Sequence, residues 1–268
     1  MLDIFQYAFM QKAFLVGLLL SVIIPLIGVV VVLKRLSMIG DALSHTSLAG
    51  VALGLVLGIN PIIGAVVVCI FAAFSIEVVR KALPRYAEMS ISIIMSVGIG
   101  LASILSGFIE DGAAFNSFLF GSIVAITDIE VVMVIVVTVI VVAAFILLYK
   151  ELMFITFDEQ GAELAGIPVK RINFVVTLLT AITVSVAARS VGALMVSSLM
   201  VIPVACAMQL ANSYKKTVVY SVCFAAVFTI AGLFLSYYYN LKPGGTIVLT
   251  GVVVLIPLMA VKKNGGRA

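Results

Sequence analysis

Asp41 and His45 stand four residues apart in GDALSHTSLAG, residues 40–50, and His45 is the sole histidine of a 268-residue chain. On a helix, positions i and i+4 share a face. A carboxylate and an imidazole would therefore project together, with Thr46 and Ser47 to one side and Ser37 a turn earlier. One oxygen and one nitrogen donor make a two-point site for a divalent transition ion such as zinc or manganese. Without thiolates it is not the closed site of a structural zinc. Two other readings fit the same residues: Asp41, after Gly40, near the N-cap of a helix, and His45 bonded to a neighbouring helix. The residues alone leave these open.

Other polar residues offer less chemistry. KELMFITFDEQGAELAGIPVKR, residues 150–171, is the largest polar stretch. Within it DEQGAELAG reads as a short helix, with Asp158 and Glu159 at the positive end of its dipole and Gly166 and Pro168 stopping it. It is either a solvated connector or a docking element. In VGALMVSSLMVIPVACAMQL, residues 191–210, Gly192, Ala193, Ser197, Ser198 and Ala205 permit close helix approach, and Pro203 implies a kink. Such a helix lines a path or simply packs. Glu77 and Lys81 read as a stabilising i,i+4 pair. Asp128 and Glu130 are either solvated or attract cations. Cys69, Cys206 and Cys223 lie in apolar segments without CxxC spacing and read as free thiols. The chain contains neither G-x-x-x-x-G-K-[ST] nor H-E-x-x-H, so no P-loop or zinc-protease chemistry is expected of it. It is expected not to be an enzyme.

These residues sit in a chain that is 64% hydrophobic and 10% charged, with a mean hydropathy of +1.33. Soluble domains carry about 25% charged residues, so the solvent for most of this surface is lipid. The +4 net charge is dispersed singly and in pairs between apolar runs, which is the pattern of membrane-flanking cations and not of a nucleic-acid surface. Asp3 stands where a signal peptide would be basic, and the first apolar run is too long for an h-region. No cleavable leader is expected. With no tryptophan, Tyr237–Tyr239 and the cations must anchor the interfaces.

A span needs about 20 apolar residues. That ruler gives segments near 13–33, 41–58, 61–79, 90–109, 128–149, 172–188, 192–212, 218–238 and 244–261. The expectation is an all-α polytopic membrane protein of eight or nine transmembrane helices forming one domain over 1–268. The sixth and seventh segments meet at Arg189–Ser190, where one of them could be partly re-entrant. With nine spans and the C-terminus inside, Lys34, Arg35, Arg80, Lys81, Arg85, Lys150, Lys170, Arg171, Lys215, Lys216, Lys262, Lys263 and Arg267 fall inside. Only Lys12, Arg189 and Lys242 fall outside, and this asymmetry sets the orientation. These three cations are candidate contacts for an acidic partner outside, or snorkelling anchors. Residues 112–127, after the acidic Glu110–Asp111 loop, are too short and polar to span and are expected to form a re-entrant or interfacial segment.

Five stretches in order, RLSMIGDALSHTSLAGVALG (35–54), SFLFGSIVAITD (117–128), FDEQGAELAGIPV (157–169), VGALMVSSLMVIPVACA (191–207) and LKPGGTIVL (241–249), resemble the bacterial zinc/manganese ABC-transporter permeases, the ABC-3 metal permeases. The likeness runs from about residue 10 to 262. It implies a homodimeric permease of the type II ABC importer plan, with a path at the dimer axis. It also implies two cytoplasmic ATPase subunits and an extracytoplasmic metal-binding protein, in a bacterial plasma (inner) membrane. The coupling helix carries over onto 157–169, with Phe157, Asp158, Glu159, Gly161, Glu163, Leu164, Ala165 and Gly166 as its residues. The metal-contacting aspartate and histidine carry over onto Asp41 and His45. Lys12, Arg189 and Lys242 would face the binding protein.

No tightly bound cofactor is expected, only the transported Zn2+ or Mn2+. SHTSLAGVA is closer to the zinc members than SHAVLPGVA would be, which favours zinc over manganese or iron. Three rivals stand beside this reading. In a proton-coupled secondary transporter the Asp41–His45 pair would be a proton relay, but the coupling-helix stretch would have no purpose. An intramembrane enzyme lacks a nucleophile motif. A permease for siderophore, haem or cobalamin would tend to be longer, with ten spans.

Overall fold

A computed structural model of the protein describes residues 6–82, 86–109, 112–121 and 126–265. Among these residues all regular structure is helical. In chain order the helices are α1 (Ala8–Leu33), α2 (Met38–Val56), α3 (Pro61–Ala82), α4 (Ala87–Ser106), α5 (Gly112–Phe120), α6 (Asp128–Leu147), α7 (Tyr149–Phe157), α8 (Glu159–Leu164), α9 (Val169–Val191), α10 (Ala193–Leu210), α11 (Tyr214–Tyr239) and α12 (Pro243–Gly265). The expected inner cations Arg85 and Arg267 and the Glu110–Asp111 loop lie outside the described residues.

Eight of these helices are long and apolar enough to cross a membrane, and a ninth, over Met195–Leu210, is shorter. Lipid supplies no hydrogen bonds, so each span must satisfy its backbone internally, and a helix does so. α1, α2 and α9 are mostly buried, whereas α4, α6 and α12 show most of their surface outward. The outward faces carry Phe71, Phe74, Ile104, Ile140, Ile146 and Val253, which is the expected lipid-facing chemistry.

Three boundaries differ from the sequence reading. α2 begins at Met38, so Asp41 lies one turn inside it instead of capping it, and the N-cap residue Ser37 makes no side-chain cap bond. Helical packing overrides the weak propensity of Gly40, which sits against Ser197 Cβ at 3.3 Å and Met200 Sδ at 3.4 Å from where a Cβ would stand. The break between α9 and α10 falls at Gly192 (φ 98, ψ 132), not at Arg189–Ser190, and α9 runs unbroken to Val191. Of the segment expected at 112–127, α5 takes nine residues, too few to span. It packs on α9, α10 and α2 with Phe118 buried, and residues 122–125 lie outside the described ones.

α10 packs among α1, α2, α9, α11 and α12. Gly28 of α1 faces the Met200 carbonyl so closely that a side chain there would clash. Gly28 of α1 and Gly40 of α2 thus let their helices approach Met200 and Ser197 of α10 closely. The three cysteines are free, as expected.

Candidate functional site

α2 is enclosed by α3, α4, α9 and α10. Ser44, Thr46 and Ser47 are buried on its inward side. Thr46 Oγ1 donates to the Ala42 and Leu43 carbonyls, both at 3.0 Å, whereas the Ser44 and Ser47 hydroxyls make no hydrogen bond of good geometry among the described residues. The stripe Met38, Asp41, His45, at i, i+3 and i+7, is the open one: Met38 is exposed and Asp41 and His45 are half-buried. Their Cβ atoms are about 6 Å apart by helical geometry, close enough for both heads to reach one ion. Neither side chain hydrogen-bonds or ion-pairs with another described residue. Among the described residues no group of three or more His, Cys, Asp or Glu converges to hold a metal. One chain thus presents two donors on an open face, an incomplete shell for a tetrahedral or octahedral ion.

The short inner helix forms as its sequence predicts. Asp158 caps α8, its Oδ1 accepting from the Gly161 N–H at 2.8 Å, and Gly166 (φ 83) ends the turn after it. Ala162 is fully buried and anchors α8, while Leu164 is 90% exposed and Phe157 69% exposed. Phe157 also meets the Tyr214 ring of α11 at 6.1 Å. A leucine this exposed, beyond the spans, forms an apolar knob on the surface. Glu163 pairs with Lys170 at 3.8 Å. Glu159 instead turns inward, onto Lys34 and Asn173.

The three outer cations are tied within the chain, which the sequence did not reveal. Lys12 Nζ lies 2.7 Å from Asp128 Oδ1. Arg189 Nε lies 3.4 Å from Glu130 Oε1, and its guanidinium carbon stands 4.7 Å from the Phe118 ring centre. Lys242 Nζ stands 3.9 Å from the Phe120 ring centre. Glu130 and Thr127 form a capping box that starts α6. The cations thus clasp α5 and the start of α6 to α1, α9 and the α11–α12 turn. Lys242 also lines a cavity of about 650 Å³ open at this end, with Phe9 and Tyr237.

At the inner end Glu77 ion-pairs with Arg80 at 2.8 Å. The pair expected with Lys81 involves a side chain outside the described ones. Sequence reasoning also missed Asn173 and the role of Lys34. A buried asparagine beside a chain-breaking turn was the available signal, but its partner Lys34 is 139 positions away.

The ABC 3 transport family matches residues 6–262. A probable metal transport system membrane protein of Treponema pallidum is 35% identical over 97% of this chain and 98% of its own length. The manganese transport system membrane protein MntC of Listeria monocytogenes is 34% identical over 97% and 93%. The high-affinity zinc uptake system membrane protein ZnuB of Haemophilus influenzae is 29% identical over 94% and 97%. Among solved structures, a chain of PsaBC from Streptococcus pneumoniae, in complex with Fab, superposes with a TM-score of 0.85 at 29% identity, covering 95% of this chain and 92% of that one.

Proposed function

Since the chain belongs to the ABC 3 transport family, we propose that it is the membrane permease subunit of an ATP-driven importer of a divalent transition metal, zinc or manganese. One observation carries the conduit assignment. An ionisable pair, Asp41 and His45, stands on an open stripe of an otherwise enclosed span with no partner among the described residues. Lipid is a costly neighbour for such groups, so they face a water-filled path or a second copy of the chain. A two-fold axis beside this face would bring two carboxylates and two imidazoles together, completing a four-donor shell. Two weak donors per protomer also suit transport, because an ion must be able to leave.

The rest of the cycle follows from the inner and outer faces. Two separate ATPase subunits dock on α8 and the end of α7, where Leu164 and Phe157 offer apolar surface. A metal-binding protein docks outside on the rim that carries Lys12, Lys242 and Arg189, chiefly where Lys242 borders the open cavity. The chain supplies the path and the ATPase supplies the chemistry, in a bacterial inner membrane. The relatives named above are labelled for manganese and for zinc. The form of SHTSLAGVA favours zinc, and zinc outcompetes manganese at nearly any N/O site, so an external binding protein would set the selectivity.

The test is accumulation of zinc and manganese in cells co-expressing this chain with its ATPase and binding protein, beside H45A and D41A. Zinc uptake abolished by both substitutions at equal membrane abundance is the expected result. Manganese uptake abolished in the same way would keep the mechanism and change the cargo. Uptake unchanged in both folded variants would remove Asp41 and His45 from the path.

A further inference from the structure

Beneath α8 lies a polar ring that the proposed cycle does not yet use. Lys34 Nζ donates to Asn173 Oδ1 at 2.6 Å and stands 3.3 Å from Glu159 Oε2. Asn173 Nδ2 donates to Glu159 Oε1 at 2.9 Å. Each side chain comes from a different element: the α1–α2 turn, α9 and α8. The Lys34 side chain is only 9% exposed, and Asn173 is buried as well. Burial pushes the Lys34 ammonium below the ordinary lysine range, opposed by the charge and hydrogen bond of Glu159, with Arg80 lowering it further and Glu77 raising it. Holding a charge here is costly. An apolar contact would anchor α8 with less penalty, as Ala162 already does.

What Lys34 leads into is stiff. The backbone N–H groups of Lys34, Arg35 and Leu36 bond back to the carbonyls of Val30, Val32 and Val31 at 3.1, 3.0 and 2.9 Å. Arg35 holds φ 59, a left-handed conformation that costs a non-glycine residue energy and persists only where its surroundings impose it. α2 starts at Met38 and carries Asp41 one turn later. Asp41 thus stands seven positions along the chain from Lys34. Just before α8, the last residue of α7, Phe157, meets the Tyr214 ring, a contact less directional than a hydrogen bond.

We propose that the Lys34–Asn173–Glu159 ring is the link through which movement of α8 passes to α2 and its Asp41–His45 pair. Lys34 acts as a positioning residue, through α2, and does not touch the ion. This rests on the permease reading above. The Asn173 amide can present either its oxygen or its NH2 to a neighbour, so the ring tolerates exchange of its two charges.

The complete complex, with its ATPase and metal-binding protein, is reconstituted in vesicles, and metal uptake and ATP hydrolysis are measured separately. K34M and N173L should each assemble and hydrolyse ATP near the wild-type basal rate, yet import about tenfold fewer ions per ATP, a coupling loss of ordinary allosteric size. The exchange K34E/E159K should recover most of the wild-type ratio. Single variants with the wild-type ratio would overturn the link. Single variants that fail to assemble, with no recovery in the exchange, would assign the ring a purely structural role and overturn it too. Wild-type vesicles without ATP-driven uptake would instead overturn the permease reading on which it stands.

Discussion

His45 and Ser47 are two residues apart on α2, and a helix turns them to nearly opposite sides. His45 is half-buried on the open stripe, while Ser47 is fully buried and its hydroxyl makes no hydrogen bond of good geometry among the described residues. Their substitutions should therefore act on different quantities. An unsatisfied buried hydroxyl costs about 1–3 kcal/mol, so S47A should leave metal uptake unchanged and hold or raise the unfolding temperature in detergent. H45A should do the reverse, lowering uptake with little change in unfolding temperature, because no hydrogen bond among the described residues depends on the imidazole. Thermal unfolding and uptake measured on the same two variants decide it. An S47A protein that loses uptake would place the conduit on the inward side of α2 and move it away from His45. Glu130 makes a useful contrast. It is also a buried carboxylate, but it has partners in Arg189 and in the Thr127 N–H, and its chemistry is consumed in starting α6.

At the scale of elements, the spans were legible because hydropathy and length are local properties, and all nine apolar segments of the sequence correspond to helices. The short inner helix was legible for the same reason, since a capping aspartate and a terminating glycine lie within its own few residues. What escaped was set by contact across the bundle. Gly40 reads as a helix start in isolation, yet it is a close-packing residue against α10. Arg189 reads as the end of a span, yet Glu130 and Phe118 let α9 continue past it. Lys12, Arg189 and Lys242 read as contacts for an outside partner or as snorkelling anchors, because their intrachain partners Asp128, Glu130 and Phe120 are remote in sequence. The true break is glycine-specific. Gly192 has φ 98, and a side chain there would strike the Phe120 backbone, as Gly121 faces the Val191 backbone in return. G192A should destabilise the protein by about 1–3 kcal/mol through this strain, seen as a lower unfolding temperature, whereas G245A, with open space around it, should change nothing. Equal stability in the two would mean that the α5–α10 junction yields without strain.

At the scale of the whole molecule, the distribution of exposed groups is what a single chain leaves unexplained. Most of the outer surface is large and apolar, suited to lipid. The α2 stripe is not, because it carries a carboxylate and an imidazole on a helix whose other sides are covered. Charge asymmetry places the start of α2 at the inner side of the membrane, and His45, seven residues on, lies about 10 Å further in. At that depth water reaches the pair only through a path, and a path along one open helix face needs a second wall. In the homodimer proposed above, a second copy of the chain would supply that wall by symmetry, with the same stripe meeting itself across a two-fold axis. Met38 is on the stripe, one turn before Asp41, and is exposed. M38C in a C223S background should therefore give covalent dimers with a short bifunctional maleimide in native membranes. V139C, at an exposed position of α6, should stay monomeric under the same treatment. Dimers through α6 and not through α2 would move the axis away from Asp41 and His45, and the metal would then have to be held by two donors alone.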